Sequence, residues 1–212
     1  MSKSIILHLQ EVLSKDRLDI LPNLEVFRAR GFYLAGGTAL SLIFGHRESE
    51  DFDFFTGEDF DPWELFSFCQ NHFPGRQVEN ILEAENTLWI TVDAIKMSFF
   101  VLKRPMLEPL IETPYFNIAS VRDIGVMKLA AIQHRATIKD YIDIAYILRT
   151  IELDLLIKDF KDKYGEIIAK PQLLKSLIYF ADINIDWVRM LTDNYNWNQI
   201  QKELEKRVKE CL

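Results

Sequence analysis

The chain of 212 residues is 49% hydrophobic, 12% aromatic and 27% charged, a balance ordinary for a folded protein and enough for one well-cored domain or a domain with a helical appendage. No run approaches the roughly 18 apolar residues of a membrane span, the N-terminal stretch lacks the pattern of a secretory leader, and Cys69 and Cys211 have neither disulfide-framework nor zinc-ligand spacing. The expectation is therefore a cytoplasmic protein without membrane association, and a net charge of −7 disfavours nonspecific DNA binding while leaving a nucleotide or one folded RNA open, because local clusters decide those contacts.

In chain order, residues 4–15 place Ile5, Leu9, Val12 and Leu13 on one stripe and predict an amphipathic helix, and residues 21–30 predict a second that stops at Gly31. Residues 32–35 read as a short buried strand, Gly36 and Gly37 as a tight turn, and residues 38–44 as a helix with Leu40, Ile43 and Phe44 on its apolar face. Asp51-Phe52-Asp53-Phe54-Phe55 alternates with period two and predicts a strand. A polar turn follows, then a helix opened by Pro62 that carries Trp63, Leu65, Phe66 and Cys69 and ends near Pro74.

Residues 76–102 change to strand period and predict three successive strands, with turns at Glu85-Asn86 and Asp93-Ala94. Pro105, Pro109 and Pro114 make the next stretch a loop with at most a short strand at residues 115–118. Ser120 caps a helix reaching about His134, with Asp123 in the favoured acidic first turn. From Thr137 onward the chain predicts four helical segments, broken near Thr150, Lys170-Pro171 and Trp197-Asn198. The expected fold class is α+β: a small mixed sheet with flanking helices over residues 1–118, and a helical part over residues 119–212 packed on it.

The chemistry concentrates between Gly36 and Asp53. Glycines opening a helix let a phosphate approach backbone N–H groups that have no intrahelical partner and carry partial positive charge, and Thr38 adds a hydroxyl there. On a strand, Asp51 and Asp53 share one face while Phe52 and Phe54 point into the core. Neighbouring carboxylates call for a cation, most simply a hard divalent ion such as Mg²⁺. A phosphate-binding turn beside a two-carboxylate metal site describes a protein that handles nucleoside triphosphates. Arg47 and Ser49 stand where they can reach phosphate, although Arg47 could equally neutralise Glu48, Glu50 or Asp51.

The pair Gly36-Gly37 followed by Asp51-Phe52-Asp53-Phe54 resembles the signature of the DNA polymerase β-like nucleotidyltransferase superfamily. In its fuller form, GGTAL followed by HRESEDFDFF, the stretch is similar to the AbiEii/AbiGii-type nucleotidyltransferase toxins of bacteria. A second block, residues 126–131 with Lys128, then Arg135, then Lys139-Asp140-Tyr141-Ile142-Asp143-Ile144, resembles that family's Lys, Arg, Lys-Asp, Asp-Ile motif. The resemblance runs over residues 32–150.

It implies a nucleotidyltransferase core and a Mg²⁺- or Mn²⁺-dependent transfer of a nucleoside monophosphate from an NTP to an RNA, such as tRNA, or to a protein acceptor. It also implies a toxin with a cognate antitoxin. Within it, Asp51 and Asp53 are the metal ligands, Lys128 contacts the triphosphate, and Asp143 either joins the metal or positions Lys128 or Arg135. Gly36, Gly37, Thr38, Arg47, Ser49, Arg135, Lys139 and Asp140 are the candidate nucleotide contacts, with charge matching at a helix start as the plainer reading of Asp140 and Asp143. One position departs: where the superfamily presents a third carboxylate on a later strand, this chain has Ser98, and Asp93 falls at a turn. Either Asp143 supplies the third charge or the protein binds a nucleotide or a partner without turnover.

Overall fold

The computed structural model describes residues 6–134, 136–181, 183, 187–192 and 196–212. Its strands in chain order are β1 (Tyr33–Ala35), β2 (Phe52–Thr56), β3 (Val78–Ala84), β4 (Thr87–Val92), β5 (Ile95–Val101), β6 (Ile111–Glu112) and β7 (Asn117–Ile118). They form one mixed sheet in the order β3-β4-β5-β2-β1-β7-β6. β2 runs antiparallel to β1 and parallel to β5, while β3, β4 and β5 form an antiparallel meander. Asn86, Asp93 and Ala94 adopt positive φ at the two meander turns, the left-handed backbone that tight hairpin turns demand.

The alternation along β2 decides the layering. Phe52 and Phe54 are fully buried, and Phe54 packs on Phe27 and Phe99 with ring centroids 5.1 and 5.4 Å away. This aromatic cluster is the core under one face of the sheet: Phe27 comes from α3 (Glu25–Ala29), which follows α1 (Leu9–Val12), α2 (Lys15–Ile20) and a 3₁₀ turn at Leu21–Leu24, and Phe73 directly follows α5 (Pro62–His72). The first helix expected from the sequence is divided at Ser14, whose extended backbone caps α2, and the second is tightened at its start by Pro22.

α4 (Gly36–Phe44) includes the glycine pair and ends at Gly45 in the left-handed region. It packs against α6 (Val121–His134) and α7 (Ile138–Ile147), and α8 (Leu153–Tyr164), α9 (Lys170–Leu177) and α10 (Trp197–Glu210) complete the helices. Asp123 does more than face a helix start. Its buried carboxylate accepts from Lys163 Nζ at 2.6 Å, from Ser120 Oγ at 2.7 Å and from the Leu107 N–H at 3.0 Å, tying α6 to α8 and to the proline-rich loop.

β6 was not expected from the sequence, because two residues between prolines carry no local pattern; pairing with β7 makes the strand. The third expected C-terminal helix is shorter than predicted and ends at Leu177. Further on, Met190 bridges to Arg47, the Glu48 N–H donates to Arg189 O at 3.0 Å, and the Leu191 N–H donates to His46 O at 2.9 Å. These contacts tie Arg189, Met190 and Leu191 to the loop after α4. No helix among the described residues is long and apolar enough to cross a membrane.

Candidate active site

On the sheet face opposite the phenylalanine core, a cleft of about 730 Å³ is floored by β2, β5 and β4 and walled by the start of α4 and by α6. Asp51, just before β2, is exposed, and Asp53 is half-buried on the same side of the strand. Both line the cleft with Gly36, Gly37, Lys128 and Asp140. Ala35, Asp53 and Ser98 lie side by side across β1, β2 and β5. The helix start, the acidic strand and Ser98 are thereby brought together.

Gly36 has φ +72°, and a Cβ there would stand 2.8 Å from Asp53 Oδ2. Glycine is required twice over, by the left-handed backbone and by the close approach of the carboxylate. No side chain caps α4 at Ala35, so the first turn presents N–H groups and the positive end of the helix dipole toward the cleft. At Gly37 a Cβ would overlap the Arg47 guanidinium and approach Asp143 Oδ2 at 3.5 Å. Gly37 is a packing position as well as a backbone one.

Behind the cleft wall lies a buried ionic cluster centred on Asp143, which is fully buried. Its Oδ1 accepts from Arg47 Nε at 2.8 Å and faces His46 Nε2 at 2.9 Å, while Oδ2 accepts from Arg47 Nη2 at 2.9 Å and lies 2.7 Å from Lys128 Nζ. Lys128 Nζ also donates to Asp140 Oδ1 at 2.8 Å, and Asp140 Oδ2 accepts from the Thr137 N–H and hydroxyl in a capping box that opens α7. Burial alone would raise the Asp143 pKa, but the Arg47 and Lys128 charges outweigh it and hold the carboxyl well below the usual range. Burial also opposes the charge on Lys128, yet Asp143 and Asp140 overcome it and keep the ammonium protonated above its ordinary range. For His46 burial wins and lowers the pKa. The neutral ring donates Nε2–H to Asp143, and its Nδ1 has no hydrogen-bond partner among the described residues.

A family model described as the nucleotidyl transferase AbiEii toxin of type IV toxin–antitoxin systems matches residues 20–196. The chain belongs to the AbiEii nucleotidyltransferase toxin family. An uncharacterized protein of Aquifex aeolicus is 36% identical over 189 residues, spanning 85% of this chain and 88% of its own. Among solved structures, MenT4, a nucleotidyltransferase toxin of Mycobacterium tuberculosis, aligns with a TM-score of 0.61 at 15% identity, over 90% of this chain and 80% of its own. A protein of H. pylori provisionally named a nucleotidyltransferase aligns with a TM-score of 0.59 at 19% identity, over 93% of this chain and 95% of its own. The mixed sheet with its helices is the nucleotidyltransferase fold.

For this AbiEii-family chain the two sequence blocks meet in space, though not every residue faces the cleft. Thr38 is buried, and its hydroxyl is engaged by the Ser49 hydroxyl at 2.7 Å and by the Asp51 carbonyl. Thr38 and Ser49 thus fix the backbone that delivers Asp51. Arg47 is buried, turned to Asp143 and outside the cleft lining, with Nη1 on the Glu48 carbonyl at 3.0 Å, so it is not a surface partner of the Glu48, Glu50 or Asp51 side chains. Asp143 has both oxygens engaged, by Arg47, Lys128 and His46. Lys139 is exposed and lies outside the cleft lining, and Arg135 falls outside the described residues.

Sequence reasoning missed His46, Lys96, Phe55, Trp89, Phe100 and Met127. His46 directly precedes Arg47 in the HRESEDFDFF stretch, and Phe55, Lys96 and Phe100 share the strand phase of Asp53 and Ser98; those signals were present. Among the described residues no group of three or more His, Cys, Asp or Glu forms a preformed metal cage. The hard oxygens of Asp51 and Asp53, with the space left by the missing Cβ of Gly36, nonetheless suit Mg²⁺, which is commonly held by one or two carboxylates and completed by substrate phosphates.

Proposed function

We propose that the protein transfers a nucleoside monophosphate from an NTP, with Mg²⁺ or Mn²⁺, to a hydroxyl of an RNA such as tRNA or of a protein. In this reading it acts in the cytoplasm as the toxin of a toxin–antitoxin pair and has a cognate antitoxin. The observation that carries the proposal is the meeting, in one cleft, of the glycine-opened start of α4, Asp51, Asp53 and Lys128.

The N–H groups at the start of α4 receive phosphate oxygens, and Asp51 and Asp53 hold the divalent ion. When bound, such an ion neutralises phosphate charge and polarises the phosphorus that is attacked. Lys128 commits two of its three N–H donors to Asp140 and Asp143, leaving one for a phosphate whose charge grows as pyrophosphate leaves. Arg47 and His46 act through Asp143, keeping that ammonium aimed.

A second reading is favoured by one observation. Ser98 stands in register beside Asp53 and supplies no carboxylate to take the acceptor's proton. Asp140 reaches the cleft, but its oxygens serve Lys128 and Thr137. A catalytically degenerate module that binds nucleotide or a partner without turnover would have this composition. Incubation with Mg²⁺, each labelled NTP and total RNA separates the two: label transferred to acceptor supports the transferase, and saturable NTP binding without transfer supports the module.

A further inference from the structure

The cleft floor extends beyond the carboxylates in an apolar direction. On the face that bears Asp53, β2, β5 and β4 present Phe55, Phe100 and Trp89. Phe55 and Phe100 are paired in register with ring centroids 5.3 Å apart and planes 29° apart, and Phe100 meets Trp89 edge-on at 6.4 Å. Trp89 is 38% exposed, whereas Phe54, Phe99 and Leu88 on the opposite face are 0% exposed. These strands already have a core on that opposite face, and although Phe55 also stacks on the buried Tyr33, folding gives no reason for the neighbouring Phe100 and Trp89 to line an open cleft.

Strand order gives the row a direction relative to the phosphate cradle. β1 and the start of α4 lie on one side of β2, and β5 and β4 lie on the other. Phe100 and Trp89 therefore lie across the Asp53 strand from the glycine turn, and Phe55 stands two residues along that strand. Thr91 and Lys96 pair in register two residues along from Trp89 and Ser98 and also line the cleft, supplying a hydroxyl and an ammonium at the Trp89 end of the row.

We propose that Phe55, Phe100 and Trp89 form a nucleobase-stacking platform, with Lys96 and Thr91 meeting the polar edge of the base; this rests on the nucleotidyltransfer reading above. A nucleobase offers a flat π face and a hydrogen-bonding rim, the two surfaces this floor complements. The base belongs either to the NTP or to the terminal nucleotide of an RNA acceptor, which present the same chemistry.

The test uses the full chain and its Trp89→Leu and Phe100→Leu variants, which keep apolar bulk and lose the aromatic face. The probes are each Mg²⁺–NTP, Mg²⁺–tripolyphosphate and a short single-stranded oligoribonucleotide. If the platform holds the NTP base, the unsubstituted chain binds its preferred NTP at least about tenfold more tightly than tripolyphosphate, and both variants erase that margin with tripolyphosphate affinity unchanged. If it holds the acceptor, the variants bind the oligoribonucleotide about tenfold more weakly and the NTP equally well. Variants that bind every base-bearing probe as the unsubstituted chain does overturn the platform alone. A chain that binds none of the three probes overturns the nucleotidyltransfer reading and the platform with it.

Discussion

Lys128 Nζ lies 2.7 Å from Asp143 Oδ2, in an ion pair whose carboxylate is fully buried and whose lysine side chain is 10% exposed. The pair joins α6 to α7 and, through Arg47, joins both to the loop that delivers Asp51. Its consequence is a division of labour among the acidic residues: Asp143 is saturated with donors inside the protein, while Asp51 and Asp53 face the cleft.

Asp143→Asn should therefore act on stability first. Removing the shared anion leaves the Arg47 and Lys128 charges buried together, an arrangement that typically costs about 3–5 kcal/mol. Denaturant unfolding measures it. Unchanged stability with lost Mg²⁺–NTP affinity would instead mark Asp143 as a metal ligand.

The two glycines should separate in their effects. A Cβ at Gly37 displaces the Arg47 guanidinium from Asp143, so Gly37→Ala should destabilise the fold by about 1–3 kcal/mol as an overpacked core substitution does. Gly36→Ala meets φ +72° and Asp53 Oδ2; it should cost about 1–2 kcal/mol for the backbone and weaken Mg²⁺–NTP binding in addition. Melting curves and nucleotide titrations on both variants check the contrast, and equal nucleotide affinities in the two would contradict it.

His46 predicts a pH dependence of stability. Burial lowers its pKa below the ordinary value of 6.5, so below that pH the unfolded chain takes up a proton that the folded chain resists, and stability falls on acidification. The depressed Asp143 carboxyl adds a further loss as the pH falls through the unfolded carboxylate range near about 4. His46→Gln retains a donor for Asp143 and removes the first loss only. Denaturation midpoints between about pH 8 and pH 5 should slope downward toward acid for the unsubstituted chain and be flatter for the variant; identical slopes would show that His46 is not the group responsible.

Much of the sheet was legible because its cues are local. Strand period, the positive-φ turns at Asn86 and Asp93-Ala94, and the alternation around Asp53 are written in consecutive residues. β6, the paired stretch around Met190 and the division of the N-terminal helix at Ser14 were not, since each is made by partners distant in the chain or by one residue's backbone. The site followed the same rule. Gly36, Asp51, Asp53 and Lys128 came from motif and spacing, whereas the burial of Arg47 against Asp143 depends on α7 closing over the loop after α4, a contact across nearly a hundred residues. The aromatic floor lay in plain alternation along β5, but only the register with β2 and β4 joins Phe55, Phe100 and Trp89 into one row.

The most direct measurement is a calorimetric titration of Mg²⁺–NTP into the unsubstituted chain and into Asp51→Asn and Asp53→Asn. Both carboxylates line the cleft, and each substitution should leave the chain folded, which melting curves check. Each should also abolish the Mg²⁺-dependent part of NTP binding. Mg²⁺–NTP affinity that survives intact in both variants would contradict a metal–nucleotide site at Asp51 and Asp53.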